Sequence, residues 1–373
     1  MALEASGGGV GRHVIDLCQG LSQRGHRIVL AYSPLRAEQL FLSQLAALDT
    51  EAVPVEMKRA IGPWDLGAAR DLAHVAKTRG PFHIVHGHSS KAGALVRCIP
   101  TGPAKVVYTP HAFRGLDPES SKASRSAFTM IEAVLGARTD ALIAVSQSEL
   151  DFAYEHRIAR ARQHLVHNGI FSQPLADRAE VRQEVGFSAE DVIVGFVGRL
   201  THQKAPERFV TAMTKAFAQD ERLRALIIGD GDLRDAVLKQ VADSGYEERF
   251  CVLRGVDAKR YFAAMDMLMI TSRYEGFSYV MIEAMTAGVP LISTPVGGIG
   301  EAIGEENCGV IVTGFDSTSE LAETVTAIAS RPALLDEMKA RASIRGAHFN
   351  GAKMVAETEA IYQRILGSEQ AAA

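Results

Sequence analysis

The chain has 373 residues, of which 47% are hydrophobic and 23% charged, with a formal net charge of −4 and four cysteines. A single core stops growing near ~250–300 residues, so two domains are expected, and the composition excludes disordered, collagen-like and coiled-coil classes. No run approaches the ~18 apolar residues of a membrane span, and "MALEASGGGVGRH" lacks the basic and apolar regions of a signal peptide, which predicts a cytoplasmic protein.

Cys18, Cys98, Cys251 and Cys308 lie far apart, with no CxxC and no Cys/His run spaced for zinc, so neither a metal nor a disulfide framework is expected. Residues 1–170 carry 19 Lys and Arg against 15 Asp and Glu, and the rest 21 against 29; ten of the twelve histidines fall in the first part. A basic first half suits an anionic surface or acceptor, with an ordinary solvated face equally compatible. Nucleic acid is excluded at this modest charge without a reading motif.

Along the chain, a stub "MALEA" precedes the glycine run "GGGVGRH" (Gly7 to His13), which opens a helix. Its amides suit a phosphate or sugar or a plain tight turn, and it is not a clean GxGxxG. The apolar runs "HRIVLAY", "AVPVEM", "FHIVHGH", "KVVYTPH", "ALIAVSQSE" and "HLVHNGI" then alternate with helical segments, which predicts a parallel sheet with crossovers.

A polar segment at residues 171–190 reads as a linker. The pattern restarts with "VIVGFVGRL", "RALIIGDG", "RFCVLRGV", "MDMLMITS", "VPLISTPVGG" and "GVIVTGF". The expectation is therefore an α/β chain of two Rossmann-like domains, 1–170 and 191–345, with an interdomain cleft beyond the carboxyl ends of the strands. Residues 346–373 read as a terminal helix packing back toward the N-terminal domain.

Two segments carry chemistry. "GFVGRLTHQK" sets Arg199 and Lys204 past an apolar strand, where a forked guanidinium and an ammonium suit a diphosphate as well as they suit a solvated loop. In "SRYEGFSYVMIEAM", Glu275 lies on the loop after a buried strand and Glu283 in the early turns of the following helix. The amides of Gly276, Phe277 and Ser278 lie at that helix N-terminus. Ionised carboxylates are acceptors only, which suits vicinal hydroxyls, so a phosphate flanked by two sugar diols describes a nucleotide-sugar. "DGD" at Asp230 to Asp232 mimics a metal site but reads as a strand-to-helix turn. Glycoside hydrolysis also uses paired carboxylates, yet gives no role to Arg199 and Lys204.

"SRYEGFSYVMIEAMTAGVPLISTPVGGIGE" closely resembles the EX7E segment of family-4 glycosyltransferases, and "FVGRLTHQK", "IIGDGDLRD", "VYTPHAF", "AVSQSE" and "VHNGI" resemble that family's other motifs in order. The resemblance implies the two-domain GT-B fold and a retaining enzyme. It implies that Glu283 binds the donor ribose, Glu275 the transferred sugar, and Arg199 and Lys204 the diphosphate, assisted by amides at Phe277 and Ser278. It also implies that His111 approaches the donor sugar, with a buried structural histidine as the plain alternative, and that Gly9 and Gly11 let the N-terminal loop close. "HGHSSKAGALVR" resembles a segment of polysaccharide-assembly members; it offers Ser89 as an N-cap and Lys91 as acceptor-side contacts.

These readings converge on transfer from a nucleoside-diphosphate sugar, UDP before GDP and without cofactor, to a glycan or polyprenyl-linked acceptor, possibly at the inner-membrane surface. A nucleotide-sugar 2-epimerase, a non-catalytic sugar-nucleotide binder and, more remotely, a nicotinamide dehydrogenase are the alternatives.

Overall fold

A computed structural model of the chain describes residues 1–118, 120–160, 162–171 and 174–367. The chain divides into two compact units, the residues up to Phe171 together with those from Asn350 onward, and the stretch between them. Among the described residues, the first unit has strands β1 Ala2–Leu3, β2 Val29–Tyr32, β3 Glu51–Pro54, β4 Ile84–His88, β5 Lys105–Thr109, β6 Ala141–Ala144 and β7 Gln163–Leu165, with helices α1 Gly8–Gln23, α2 Gln39–Ala46, α3 Trp64–Arg79, α4 Ser89–Cys98, α5 Lys122–Gly136 and α6 Gln147–Glu155. The second has β8 Val192–Val197, β9 Leu223–Ile228, β10 Phe250–Leu253, β11 Met267–Ile270, β12 Leu291–Ser293 and β13 Gly309–Ile311. Its helices are α7 Arg178–Glu184, α8 Pro206–Phe217, α9 Arg234–Asp243, α10 Ala258–Tyr261, α11 Tyr279–Thr286, α12 Ile299–Ile303, α13 Thr318–Ala329 and α14 Pro332–Gly346; α15 Gly351–Gly367 completes the first unit.

The sheet orders are β3-β2-β1-β4-β5-β6-β7 and β10-β9-β8-β11-β12-β13, and the pairings are parallel. Strands covered on both faces need continuous apolar runs, and "VIVGFV" and "MLMI" supply them. The two-residue β1 is central all the same: Ala2 pairs with Ala31 and Gly87, and Leu3 with Tyr32 and His88. In both units the strand order reverses at the middle, and loops at the carboxyl ends of the central strands are where such sheets place ligands.

α15 lies on α1, where a Cβ at Gly20 would come within 2.4 Å of Val355 Cγ2, and with Leu17, Leu21, Met354 and Tyr362 it closes one core layer of the first unit. Ile170 bridges Asn350 in parallel, and the Gly351 N–H donates to Ile170 O at 2.8 Å, so the outgoing and returning chain run side by side there.

The expected linker at 171–190 needs correction. Residues 172 and 173 lie outside the described residues, but α7 is folded into the second unit with Val181 fully buried. The polar composition hid this because α7 docks through charge. Arg178 and Arg182 donate to Asp266 at 2.5 Å each, joined by Lys339 at 2.7 Å and the Ile193 N–H at 2.8 Å. Burial alone raises the Asp266 carboxyl, but Lys339 and Arg178 beside it hold it below its ordinary value. Among the described residues no helix is long and apolar enough to cross a membrane.

Candidate functional site

In the second unit the site grows from the ends of β8 and β11. After β8, Gly198 adopts φ 154° and Arg199 is exposed, making no side-chain hydrogen bond or ion pair among the described residues. The "DGD" turn braces this loop. Leu200 donates to Asp230 O at 2.8 Å and Leu233 to Leu200 O at 2.9 Å. A Cβ at Gly231, φ 152°, would sit 2.5 Å from Leu200 O, so only glycine permits the approach.

Lys204 and Glu275, 71 residues apart, meet here: Lys204 Nζ donates to Glu275 Oε1 at 2.5 Å, and Ser272 Oγ to the same oxygen at 2.6 Å. The side chains are 17% and 8% exposed, so the pair is largely shielded from water. Around it the loops are stitched together. Thr271 Oγ1 donates to Lys204 O and Ala205 O at 3.0 and 2.9 Å, Arg273 N to Gln203 O at 2.8 Å, and Gln203 Nε2 to Tyr274 O at 3.1 Å. The expected cation and carboxylate are thus neighbours, and Lys204 already has an anionic partner.

Gly276, Phe277 and Ser278 lead into α11, with Ser278 at the N-cap position and without a side-chain capping bond. Phe277 is buried against Phe349, ring centroids 5.1 Å apart. Glu283 is the half-buried acid of a helix whose Met281, Ile282, Ala284 and Met285 are all buried. Gly298, at φ 74°, closes on this corner. A Cβ there would lie 2.6 Å from Gly276 O and 2.8 Å from Phe277 Cδ2, so its lack of a side chain shapes the turn.

In the first unit α1, β4 and the segment after β5 together carry four packed imidazoles. His88 Nδ1 is 3.2 Å from His111 Nε2, the His13 and His111 rings meet edge-on at 4.6 Å, and the His86 ring lies 3.9 Å from that of His88. His13 Nδ1 pairs with Asn168 Oδ1 at 3.0 Å, and His86 is held by Tyr362 Oη at 2.6 Å and Thr109 Oγ1 at 2.9 Å. Burial disfavours the charged ring in every case, bringing His13 down to about 4 and His86, His88 and His111 well below the usual range. His111 and Ala112 take φ of 54° and 93°; the buried Glu149 carboxylate stabilises this turn by accepting from the Ala112 N–H and, at 3.0 Å, the Val145 N–H.

Several expectations change. Gly9 and Gly11 lie inside α1 rather than on a closing loop. Glu38 already occupies that helix N-terminus, its carboxylate accepting from the Gly8 N–H at 3.0 Å, where an anion would otherwise dock. Ser89 is not an N-cap: His88 holds that position, and Ser89 is the first helical residue at φ 69°, its Oγ buried and without a partner among the described residues. Lys91 is engaged internally, donating to Asp65 at 2.7 Å and Ala60 O at 2.8 Å.

Two family models cover most of the chain. The one described as Glycosyltransferase Family 4 matches residues 7–172, and the one described as Glycosyl transferases group 1 matches residues 177–345. The chain belongs to the family-4 glycosyltransferases. A Klebsiella pneumoniae relative described as an uncharacterized 41.2 kDa protein in a cps region is 29% identical over 253 residues, 65% of this chain and 68% of that one. The N-acetyl-alpha-D-glucosaminyl L-malate synthase of Bacillus anthracis is 26% identical over 380 residues, 97% of this chain and 96% of that one. Among solved structures, Anabaena HepE in complex with UDP-glucose matches with a TM-score of 0.79 at 18% identity, covering 99% of each chain, a likeness of fold. The fold is that of a GT-B glycosyltransferase, with two Rossmann-like units.

For this family-4 glycosyltransferase, motif reading missed His13, His88, Glu149, Ser272 and Gly298. The signal lay in position: His88 and His111 each end an apolar run, where the strands of such a sheet present their ends. The expectation that no cluster could hold a metal came from spacing along the chain. The fold brings His13, His88 and His111 together, a proximity that spacing along the chain does not show.

Proposed function

We propose that this glycosyltransferase retains anomeric configuration and moves a sugar from a nucleoside-diphosphate sugar, UDP before GDP, to a glycan or polyprenyl-linked acceptor in surface polysaccharide assembly. The observation that carries this reading is the shielded Lys204–Glu275 pair beside the N-terminus of α11. A diphosphate displaces the carboxylate from Lys204, and the released Glu275 accepts hydroxyl hydrogens of the donor sugar. Arg199, exposed on the adjoining loop, closes on the same diphosphate, and its charge counts most as the leaving group becomes more anionic. Glu283, half-buried on α11, takes the ribose diol. The UDP-glucose complex of HepE supports the choice of donor.

Work at the cytoplasmic membrane face is part of the proposal. Met130 and Val134 on α5 are 69% and 67% exposed, and Lys122 and Arg125 lie in the first turn of the same helix, a combination suited to an anionic lipid surface. The test is a product assay with UDP-sugars, with and without a polyprenyl-diphosphate-linked glycan. Transfer that requires the acceptor and retains configuration supports the reading. Conversion of the UDP-sugar alone favours an epimerase, and UDP binding without turnover favours a binding protein.

A further inference from the structure

The imidazoles of the first unit carry a second chemistry. His13, His88 and His111 each offer a ring nitrogen, and the three nitrogens lie within 4.8 Å of one another. The 3.2 Å between His88 Nδ1 and His111 Nε2 is close to the edge of a tetrahedral zinc site. Two nitrogens that far apart, each ~2.05 Å from the ion, subtend about 103° at it. His13 is prepared in the way metal-bound histidines are. Its Nδ1–H donates to Asn168 Oδ1 at 3.0 Å, which fixes the ring orientation and the tautomer.

The remaining ring demands fit the same picture. His88 Nε2 is buried with no hydrogen-bond partner among the described residues, and Nδ1 of that ring faces only another imidazole, so no protein carboxylate or carbonyl commits either nitrogen. His86 cannot join, because Tyr362 and Thr109 occupy both its nitrogens; it stacks behind His88 and holds that ring in place. His111 is only partly buried and leaves an entry side.

We propose that His13, His88 and His111 bind one divalent transition-metal ion, zinc being the natural choice for three imidazoles, with a fourth position open to an oxygen such as a hydroxyl. This goes beyond the donor reading, which rests on Lys204, Glu275 and Arg199 of the second unit.

The test uses the full chain without a polyhistidine tag, stripped with a chelator and titrated with Zn²⁺ or Co²⁺ in the absence of donor and acceptor. The expected result is one ion per chain and, for cobalt, the intense visible absorption of four-coordinate geometry. Removing an outer partner weakens metal affinity roughly 10–100-fold, so Asn168→Leu is expected in that range, and His13→Ala and His88→Gln, which each remove a ligand, at about 100-fold or more. Should His88→Gln fail to fold, His13→Ala and Asn168→Leu carry the comparison, with circular dichroism checking the fold. Failure of the stripped wild-type protein to bind either ion, or equal affinity in His13→Ala, overturns the proposal. Neither outcome touches the donor reading, because no sugar nucleotide is present.

Discussion

Glu275→Gln is expected to bind free UDP more tightly than the wild-type protein, although it removes a proposed sugar contact. UDP has no sugar for Glu275 to hold, so in that complex the carboxylate acts only as a competitor for Lys204. At 2.5 Å and an effective dielectric of ~20 the gross attraction is about 6–7 kcal/mol. Desolvation of a pair this shielded offsets most of it, leaving a net coupling on the order of 1–2 kcal/mol. Glutamine keeps the Ser272 hydrogen bond and drops the charge, which releases Lys204 for phosphate and tightens UDP roughly 5–30-fold. Lys204→Met is expected to weaken it by a similar factor, and the double variant to lie close to Lys204→Met. Titration calorimetry with UDP across the four proteins reads this directly. Weaker or unchanged UDP binding in Glu275→Gln would show that the ion pair does not occupy the diphosphate site.

Gly298→Ala places a Cβ 2.6 Å from Gly276 O at a φ of 74°, so the Gly276–Phe277 turn must shift; UDP affinity is expected to fall about tenfold or more with about 1–3 kcal/mol lost in urea unfolding, and unchanged values would refute the close approach. Asp266→Asn strands three cations around a neutral amide and is expected to cost about 3–5 kcal/mol in the same measurement. The Asp266 carboxyl is lowered by folding, so its contribution is fully present above its unfolded value of about 3.8 and fades as pH falls through the lower folded value. Wild-type stability should therefore drop on acidification below about pH 4 more steeply than that of Asp266→Asn. Met130→Asp with Val134→Asp is expected to reduce co-sedimentation with anionic vesicles about tenfold or more, while equal partitioning would dissociate α5 from the membrane.

The alternation of strands and helices was legible because both sheets are covered on their two faces, so runs such as "VIVGFV" and "MLMI" are apolar throughout. α7 was not, because Arg178 and Arg182 dock it through Asp266 and its sequence looks like solvated loop. Lys204 and Glu275 were each recognisable from their place after a strand. Their contact was not, since it depends on how the β8 and β11 ends lie side by side. The glycine run misled for a similar reason: the group that ends its availability, Glu38, arrives from the N-cap of α2. The histidines escaped because side chains brought together from α1 and from the ends of β4 and β5 have no characteristic spacing along the chain.

The parallel bridge between Ile170 and Asn350 makes the first unit discontinuous in sequence, with the whole second unit spliced into it. On the ribosome, the inserted unit has all of its strands before the host has its last helix. Until α15 emerges, the α1 surface around Gly20, Leu17 and Leu21 remains without its cover. Folding order is thereby imposed by connectivity: the inserted half has its whole sequence available first, and the imidazole-bearing half becomes complete only when translation of the closing helix is done.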